Sequence, residues 1–334
     1  MKKLLFAVGR DWHKRMFSQK DLARIQVVCR VLAADVPDSA DKQFLLEHVK
    51  ETEIVVTSWD TAALDAEVMS RAAELELLAH AAGSVRPVVS NTLWERGVRV
   101  TGSAAAIACG VAEFCLCQMV IAGRRVFWAG LGTRMGLWRE SLNVFGGPFD
   151  IYQQKVGIIG GGYVSKYLVG LLKNFGCDIC LYDPYVSAGA ADKMGAKKVE
   201  KLEDIFSQCK VVSLNAPLTN ETRHMIGRRH FELLPEGAVF INTSMGALVN
   251  EDELVAELRK GRFVACIDVT DGEPPPPDHP FRNLPNVWLT PHQAGGIGRN
   301  LLRIGALVAD EIEAFTSGRP LRFEVERQHL GRIA

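Results

Sequence analysis

Residues 156–165 read VGIIGGGYVS, and this stretch indicates the fold of the chain. An apolar strand runs directly into Gly160, Gly161 and Gly162, and an amphipathic helix follows. A strand, a glycine-rich turn and a helix in this order are typical of a doubly wound α/β domain that binds a dinucleotide. In that arrangement Gly160 permits the tight turn, and Gly162 lets the backbone approach a pyrophosphate at the helix N-terminus.

A carboxylate also stands where dinucleotide binding requires one. Asp183 ends the next predicted strand, 21 residues after Gly162, at the position where a carboxylate binds the ribose hydroxyls. Its charge repels a 2′-phosphate, so the sequence favours NAD over NADP. Ser165 replaces the third glycine of the usual pattern, and we expect it to pack less closely. The alternative interpretation is a structural glycine-rich turn followed by a surface aspartate.

Short apolar runs alternate with helical segments along the whole chain, which predicts parallel sheets covered by helices on both faces. A long apolar helix is predicted over about 107–130, and a last helix over about 303–315. The predicted strands are 4–8, 54–57, 75–79, 98–101, 156–159, 179–182, 211–214, 239–242, 264–269 and 287–289.

Charge and composition exclude several classes of function. The 334 residues contain 39 basic and 39 acidic side chains, and no long basic run predicts binding to nucleic acid or to an anionic membrane. Only five apolar residues follow the N-terminal lysines, too few for a secretory signal or a membrane span. We therefore expect a soluble cytoplasmic protein of about two domains. Cys177 and Cys180 have the spacing of a redox or metal motif, but they lie in a predicted strand, where residues three apart point to opposite faces. The eight histidines show no metal spacing with the eight cysteines, so free thiols and no metal site are expected.

The chain resembles the D-isomer-specific 2-hydroxyacid dehydrogenases, which include phosphoglycerate dehydrogenases and glyoxylate reductases. The similarity covers nearly the whole chain and rests on GVAEF (110–114), VGIIGGGYV (156–164), VVSLNAPLTNETRHMI (211–226), LLPEGAVFINTS (233–244), residues 268–274 and LTPHQAGG (289–296). The resemblance implies a flavodoxin-like substrate domain formed by residues 1–104 and 297–334. It implies an NAD-binding Rossmann domain over 105–296, with the site in the cleft between the domains. A homodimer is also implied.

The same resemblance implies hydride transfer between NAD(H) and a small 2-hydroxy or 2-keto acid, and it gives roles to single residues. His292 matches the acid/base of the family, a task that suits an imidazole near neutral pH. Glu273 matches the carboxylate that binds the other ring nitrogen. Taken alone, each would favour a structural interpretation, as a histidine at a strand end and an acid in a solvated loop, but the flanking matches favour the catalytic roles. The implied substrate positions are Ser84, Val85, Arg86 and Met245, and the implied cofactor positions are Gly160, Gly162, Tyr163, Val164, Asp183, Asn215, Pro217, Thr222, Thr243, Ser244 and Asp268.

Met245 departs from the family pattern. The family has an arginine at this position that binds the substrate carboxylate and polarises the keto oxygen, whereas a thioether has neither charge nor N–H. Three explanations are open. A neighbouring cation (Arg86, Arg134 or Arg139) substitutes for the arginine, the substrate is not an ordinary 2-keto acid, or turnover is lost and the chain is an NAD(H)-binding scaffold or sensor.

A second departure is Ile107, where the family often has asparagine. The chain nevertheless keeps both His292 and Glu273, a pair for which an inactive protein has no need. The sequence therefore favours an active oxidoreductase with an altered substrate.

Overall fold

The computed structural model of the chain describes residues 1–32 and 37–332. These form two compact units: Met1–Ile107 with Gly296–Ala334, and Ala108–Gly295. The first boundary lies three residues beyond the predicted one, because Ala105 and Ala106 at the start of a long helix are buried in the core of the first unit. The second boundary differs by one residue, and residues 333 and 334 of the predicted substrate domain lie outside the described residues.

The first unit is built on a five-stranded parallel sheet. Its strands β1 to β5 are Lys2–Ala7, Cys29–Val31, Ile54–Thr57, Leu77–His80 and Arg99–Gly102. Their spatial order, β2-β1-β3-β4-β5, is the flavodoxin-like order. Every residue of β3 and β4 is buried, as expected for central strands covered on both faces. The sequence did not predict β2, since its three residues include the exposed Arg30 and form no apolar run.

The second unit contains a seven-stranded parallel sheet. Its strands β6 to β12 are Lys155–Ile159, Asp178–Tyr182, Lys197–Lys198, Val211–Leu214, Val239–Asn242, Val264–Ile267 and Val287–Leu289. The spatial order β12-β11-β10-β9-β6-β7-β8 is the Rossmann order with one added strand. It reverses between β6 and β9, and open parallel sheets bind ligands at that point, beyond the carboxyl ends of the strands. The predicted α/β class with two parallel sheets is confirmed.

Helices cover both sheets. In chain order within the described residues, α1 to α13 are Arg10–Met16, Gln19–Val28, Lys42–His48, Ala66–Arg71, Asn91–Glu95, Ala104–Gly123, Val126–Arg134, Tyr163–Leu172, Ala188–Met194, Leu202–Gln208, Arg228–Phe231, Glu251–Leu258 and Asn300–Thr316. By length and composition alone, α6 could cross a membrane, a criterion that a core helix of a globular domain also meets.

The prediction of one helix over 107–130 is wrong, because the chain breaks between α6 and α7 at Arg125. This residue has a left-handed φ of 56° and a fully buried side chain. Its guanidinium donates to the carbonyl oxygens of Ala122 at 2.6 Å, Phe145 at 2.7 Å and Gly237 at 2.8 Å. Burial without a carboxylate partner lowers the pKa of Arg125 to about 10. These carbonyl contacts compensate for the break in the helix.

His80, at the carboxyl end of β4, is a buried histidine of the first unit. Its Nδ1 lies 2.9 Å from the hydroxyl of Thr57, its register partner on β3. Burial lowers the pKa of His80 to about 4, so the imidazole is neutral in the folded protein at neutral pH.

We expect the buried His80 to make stability depend on pH. The unfolded chain binds the proton with the ordinary histidine pKa of 6.5, so this contribution is complete above pH 6.5 and is lost as the pH falls toward 4. Between pH 7.5 and 5 the free energy of unfolding should fall by about 2 kcal/mol through this group. Urea unfolding of the wild type and His80→Gln at both pH values measures the difference. An equal pH dependence in the two proteins would contradict the assignment.

Candidate active site

Gly160 forms the turn between β6 and α8 and requires glycine on two counts. Its φ is +95°, a backbone conformation that residues with side chains rarely adopt. A Cβ there would lie 2.7 Å from the carbonyl oxygen of Asn215 and 2.8 Å from Cα of Ala216. Since these two residues follow β9, the close approach lies where the strand order of the second sheet reverses.

Within the described part of the protein itself, nothing requires glycine at position 162. Its φ is −72°, and a Cβ there would meet no protein atom within 4 Å. Gly162 is the N-cap residue of α8, and no side chain caps that helix, whose first residues are Tyr163 and Val164. The open space beside a helix N-terminus fits a pyrophosphate, because the first N–H groups of a helix have no partner within it. The residues present therefore fit the phosphate portion of a dinucleotide.

Asp183 is held in a fixed orientation at the carboxyl end of β7. Its Oδ2 accepts a 2.7 Å hydrogen bond from the backbone N–H of Gly161, and its Oδ1 accepts one of 2.7 Å from that of Tyr185. A carboxylate has about four acceptor positions, so two remain for the hydroxyls of a ribose. The contact with Gly161 ties this carboxylate to the glycine-rich turn.

Ser165 is fully buried, so it does not pack loosely as expected from the sequence. Its hydroxyl donates to the carbonyl oxygen of Gly160 and accepts a 3.2 Å hydrogen bond from Nδ2 of Asn215. The serine thus links α8 to the turn and to β9, contacts that a glycine could not make.

Three of the other predicted cofactor positions use their side chains inside the protein. The hydroxyl of Thr222 donates to the carbonyl oxygen of Pro217 at 2.7 Å. That of Thr243 lies 3.2 Å from the thiol of Cys115, and that of Ser244 donates to a β9 carbonyl oxygen at 2.8 Å. These side chains shape the loops after β9 and β10, so contacts with a cofactor there would come mainly from the backbone.

His292 and Glu273 lie side by side beyond β11 and β12. Nδ1 of His292 is 2.6 Å from Oε2 of Glu273, and the backbone N–H of Thr270 donates to Oε1 of the same carboxylate at 3.2 Å. His292 has a left-handed φ of 49°, a strained conformation of the kind that clusters at functional sites. Because Nδ1 is bound to Glu273, Nε2 of the exposed imidazole is the nitrogen available for proton transfer.

Asp268 organises the loop that carries His292. Its carboxylate is buried and accepts hydrogen bonds from the Thr290 hydroxyl at 2.5 Å, from the Gln293 N–H at 3.0 Å and from the Ala294 N–H at 2.8 Å. The backbone N–H of His292 donates to the Asp268 carbonyl oxygen at 2.9 Å. The structure thus gives Asp268 a positioning role in addition to its predicted place beside the cofactor.

Sequence reasoning missed Thr270, Thr290 and Arg282, which support this site. All three line a cavity of about 580 Å³ together with His292 and Glu273. Arg282 donates to the carbonyl oxygens of Pro276 at 2.9 Å and Pro275 at 2.7 Å, and so braces the loop that follows Glu273. The two threonines follow strands β11 and β12, a position at strand ends that could have identified them.

Met245 is 42% exposed and follows β10 at the same edge of the second sheet. Its carbonyl oxygen accepts a 3.1 Å hydrogen bond from Nδ2 of Asn242. The next residue must be glycine, since a Cβ at Gly246 would lie 1.9 Å from the carbonyl carbon of Thr270. The thioether of Met245 is therefore partly exposed to solvent, while the backbone at Met245 and Gly246 is closely packed.

The predicted substrate residues Ser84, Val85 and Arg86 lie in the first unit, in the loop after β4. Val85 is buried in the core, so only its backbone is available to a ligand. The guanidinium of Arg86 donates twice to the carbonyl oxygen of Leu330, at 3.0 and 2.5 Å. This contact occupies two of the N–H groups with which Arg86 would substitute for an arginine at position 245.

The structure gives no support to a metal or disulfide site within the residues it describes. All eight cysteines are free thiols, and five of them are buried. Within residues 1–32 and 37–332, no group of three or more His, Cys, Asp or Glu side chains is placed to hold a metal ion.

Comparison with known proteins identifies the family. Residues 116–294 match the family model described as D-isomer specific 2-hydroxyacid dehydrogenase, NAD binding domain. A glyoxylate reductase of Korarchaeum cryptofilum is 32% identical over 281 residues, which cover 83% of each chain. A D-3-phosphoglycerate dehydrogenase of Methanocaldococcus jannaschii is 30% identical over 88% of this chain, but the chain spans only 55% of that relative.

A solved structure has the same fold over almost the whole chain. The crystal structure of a protein from Thermus thermophilus is similar with a TM-score of 0.74 and 28% identity, over 97% of this chain and all of the other. The cofactor implied by the matched domain is NAD, for which the turn at Gly160–Gly162 and Asp183 provide a fitting site. The chain therefore belongs to the D-isomer-specific 2-hydroxyacid dehydrogenase family.

Proposed function

We propose that the chain is an NAD-dependent oxidoreductase that transfers hydride between NAD(H) and a small 2-hydroxy or 2-keto acid. The observation that carries this proposal is the 2.6 Å contact between Nδ1 of His292 and Oε2 of Glu273. It lies in the unit that contains the dinucleotide-binding turn, and the buried Asp268 holds its loop. An acid/base histidine oriented by a carboxylate is what reduction of a carbonyl group requires.

Each residue has a defined task in this reaction. When bound, NADH supplies the hydride to the carbonyl carbon. Nε2 of His292 gives a proton to the carbonyl oxygen, and in the reverse direction it takes the proton from the hydroxyl group. Glu273 stabilises the imidazolium, which exists before the proton is given in the reduction and after the proton is taken in the reverse reaction. Asp268 and Thr290 hold the loop that carries this ring.

Met245 alters how a substrate is anchored. A charge-assisted hydrogen bond contributes about 1.5–3 kcal/mol to the binding free energy. An arginine at this position would make two such bonds with a carboxylate in a bidentate pair. Without those bonds, a small 2-keto acid binds and reacts weakly. We infer that the natural substrate obtains part of its binding energy from apolar contacts, to which the exposed thioether contributes.

The proposal is tested by mixing the purified protein with NADH and a panel of 2-keto acids, aldehydes and ketones, and following the nicotinamide absorbance. We expect turnover with some of the 2-keto acids. Met245→Arg, run in parallel, should raise kcat/KM for glyoxylate by at least about tenfold, since it restores charge-assisted bonds to the carboxylate. Met245→Leu is the matched control and should leave kcat/KM nearly unchanged.

The alternative function is an NAD(H)-binding scaffold or sensor, which the uncharged side chain of Met245 favours. It predicts that NADH binds while no compound of the panel is reduced. Turnover by Met245→Arg alone would mean that catalysis was lost at this one position.

We also propose that the protein forms a homodimer through α7 and the segment after it. Six apolar side chains between 126 and 138 are exposed, a dense cluster for a surface: Val126, Phe127, Leu131, Met135, Leu137 and Trp138. A two-fold symmetric pair covers such a patch with the same patch of the second copy.

Light scattering after gel filtration tests the dimer. The wild type should have twice the chain mass of 36.7 kDa, and Leu131→Glu should shift it to the monomer, because a charge buried in the interface lacks a partner. Val27→Glu is the control, since Val27 is exposed on α2, in the first unit. A monomeric wild type would refute the dimer without bearing on the hydride transfer.

A further inference from the structure

The carboxylate of Glu273 is carried by an exposed loop of the second unit. Residues 271–278 form this Glu273 loop, and all of them but Pro275 are exposed, so apolar packing does little to fix it. The hydroxyl of Thr270 donates to the carbonyl oxygen of Gly272 at 2.8 Å, which shapes the start of the loop but joins residues of one segment. The position of the loop in the unit therefore depends on contacts from other elements.

Glu251, in the first turn of α12, makes such a contact. Its Oε1 accepts a 2.8 Å hydrogen bond from the backbone N–H of Asp271, two residues before Glu273. The Glu251 side chain is only 16% exposed, so this bond is largely shielded from water. A negative charge is also favourable at the N-terminus of a helix. Glu251 thus ties the Glu273 loop to α12.

His279 holds the second oxygen of the same carboxylate. Its Nε2 lies 3.2 Å from Oε2 of Glu251, and its Nδ1 accepts from the backbone N–H of Phe281 at 3.3 Å. Because Nδ1 is the acceptor, Nε2 carries the proton and donates it to the bond with Glu251. Phe281 is buried in the core of the second unit. A series of contacts therefore runs from the core through His279 and Glu251 to the Glu273 loop.

Two further contacts reach the loop, but both are exposed. Oδ2 of Asp271 lies 3.3 Å from Nε2 of His224, with nearly half of each side chain exposed. The exposed Arg282 donates to the carbonyl oxygen of Pro276, on the far side of Glu273. Polar contacts in water contribute little to the free energy of a conformation. The shielded bond from Glu251 is therefore the stronger restraint.

On the basis of the proposed function, we propose that Glu251 is a positioning residue for proton transfer, supported by His279. By fixing the backbone at Asp271, it keeps Oε2 of Glu273 within hydrogen-bond distance of the His292 ring. Without this restraint the loop moves, and the carboxylate of Glu273 no longer holds the proton of the neutral ring on Nδ1. Glu251 acts only through Glu273, and this distinguishes it from a residue that merely stabilises α12.

The kinetic experiment compares two variants of nearly equal volume. Glu251→Met fills the space without an acceptor and should lower kcat by about three- to tenfold. Glu251→Gln keeps an oxygen for the Asp271 N–H and should stay within about twofold of the wild type. Asp252→Asn, which removes a charge from the next, exposed residue of α12, should also have little effect. NADH affinity should be the same in all of these proteins.

A double-mutant cycle separates positioning from general destabilisation. In a Glu273→Gln protein the carboxylate that Glu251 positions is already gone, so adding Glu251→Met should change kcat by less than about twofold. The same factor of loss in the wild-type and Glu273→Gln backgrounds would overturn the proposal, because it would mean that Glu251 acts independently of Glu273.

A spectroscopic measurement separates this inference from the proposed function, since it needs no turnover. In protein with ¹⁵N-labelled histidine at alkaline pH, two-bond ¹H–¹⁵N correlations show which ring nitrogen carries the proton, and His292→Gln identifies the signal of His292. We expect the proton on Nδ1 in the wild type and in Glu251→Gln. In Glu251→Met it should shift toward Nε2, the tautomer that an unconstrained imidazole favours.

Glu251→Ala guards against an effect of the methionine on packing and should give the same shift. If no compound is reduced, the proposed hydride transfer fails, and the tautomer of His292 alone decides whether Glu251 is a positioning residue. A proton that stays on Nδ1 in both Glu251→Met and Glu251→Ala would refute the inference.

Discussion

Replacing His292 with glutamine is expected to lower kcat by a factor of about 10²–10⁴, the usual contribution of a positioned general acid. Glutamine can donate a hydrogen bond to a carbonyl oxygen but cannot give up a proton to it. Since Nδ1 of the histidine is bound to Glu273, the change removes Nε2 as the acid and leaves the dinucleotide-binding turn intact. Steady-state kinetics, with NADH affinity measured by fluorescence titration, check both parts.

Glu273→Gln is the matched variant for this experiment. Its amide can still accept or donate at the position of the carboxylate, but the negative charge that favours the imidazolium is gone. We expect kcat to fall by a smaller factor of about 10. A His292→Gln protein with normal kcat would exclude His292 as the acid, and weakened NADH binding would mean that the substitution disturbs the fold.

Gly160→Ala is expected to have the largest effect on stability among single-methyl substitutions in the glycine-rich turn. The residue has a φ of +95°, and the added Cβ would lie within 2.8 Å of backbone atoms of Asn215 and Ala216. Strain and overpacking together should lower the free energy of unfolding by about 2–4 kcal/mol. Urea denaturation measures this loss, and NADH affinity should fall with it because the turn must shift.

Gly162→Ala is the control that separates stability from binding. A Cβ at this position meets no protein atom within 4 Å, and the φ of −72° suits alanine. The free energy of unfolding should therefore change by less than about 1 kcal/mol. NADH affinity should nevertheless fall by at least about tenfold, because the methyl group occupies the space of the pyrophosphate. Unaltered NADH binding in Gly162→Ala would contradict the placement of the cofactor.

The buried strands were the most predictable part of the fold. The predicted bounds of β3, β9, β10 and β12 match the structure at both ends. The first three are short apolar runs between polar or turn residues, the pattern of a strand buried on both faces. The fourth, β12, is an edge strand in which only Val287 is buried. The edge strands β2 and β8 have three and two residues, and they pair because a neighbouring strand is already present.

The break between α6 and α7 could not be predicted from local sequence. Residues 107–130 are mostly apolar and contain no proline, so the pattern favours one helix. The break depends on carbonyl oxygens of Phe145 and Gly237, which accept from Arg125 only once the unit has folded. Distant partners of this kind leave no periodic signal.

Some residues of the candidate site could be predicted from the sequence, but the contacts that hold them could not. Spacing alone identified the glycine-rich turn and Asp183, whereas His292 and Glu273 were identified through family resemblance. Neither route revealed that Asp268 and Thr290 hold the histidine loop, because such contacts link residues more than twenty positions apart.

The most direct test of the central claim follows hydride itself. Wild-type protein is incubated with a panel of 2-keto acids and NADH deuterated on the reactive face of the nicotinamide, and the products are analysed by mass spectrometry. We predict at least one 2-hydroxy acid with one deuterium at C2, and little or none with His292→Gln. NADH that binds but leaves no deuterium in the product of any 2-keto acid tried would contradict the account and favour a nucleotide-binding scaffold.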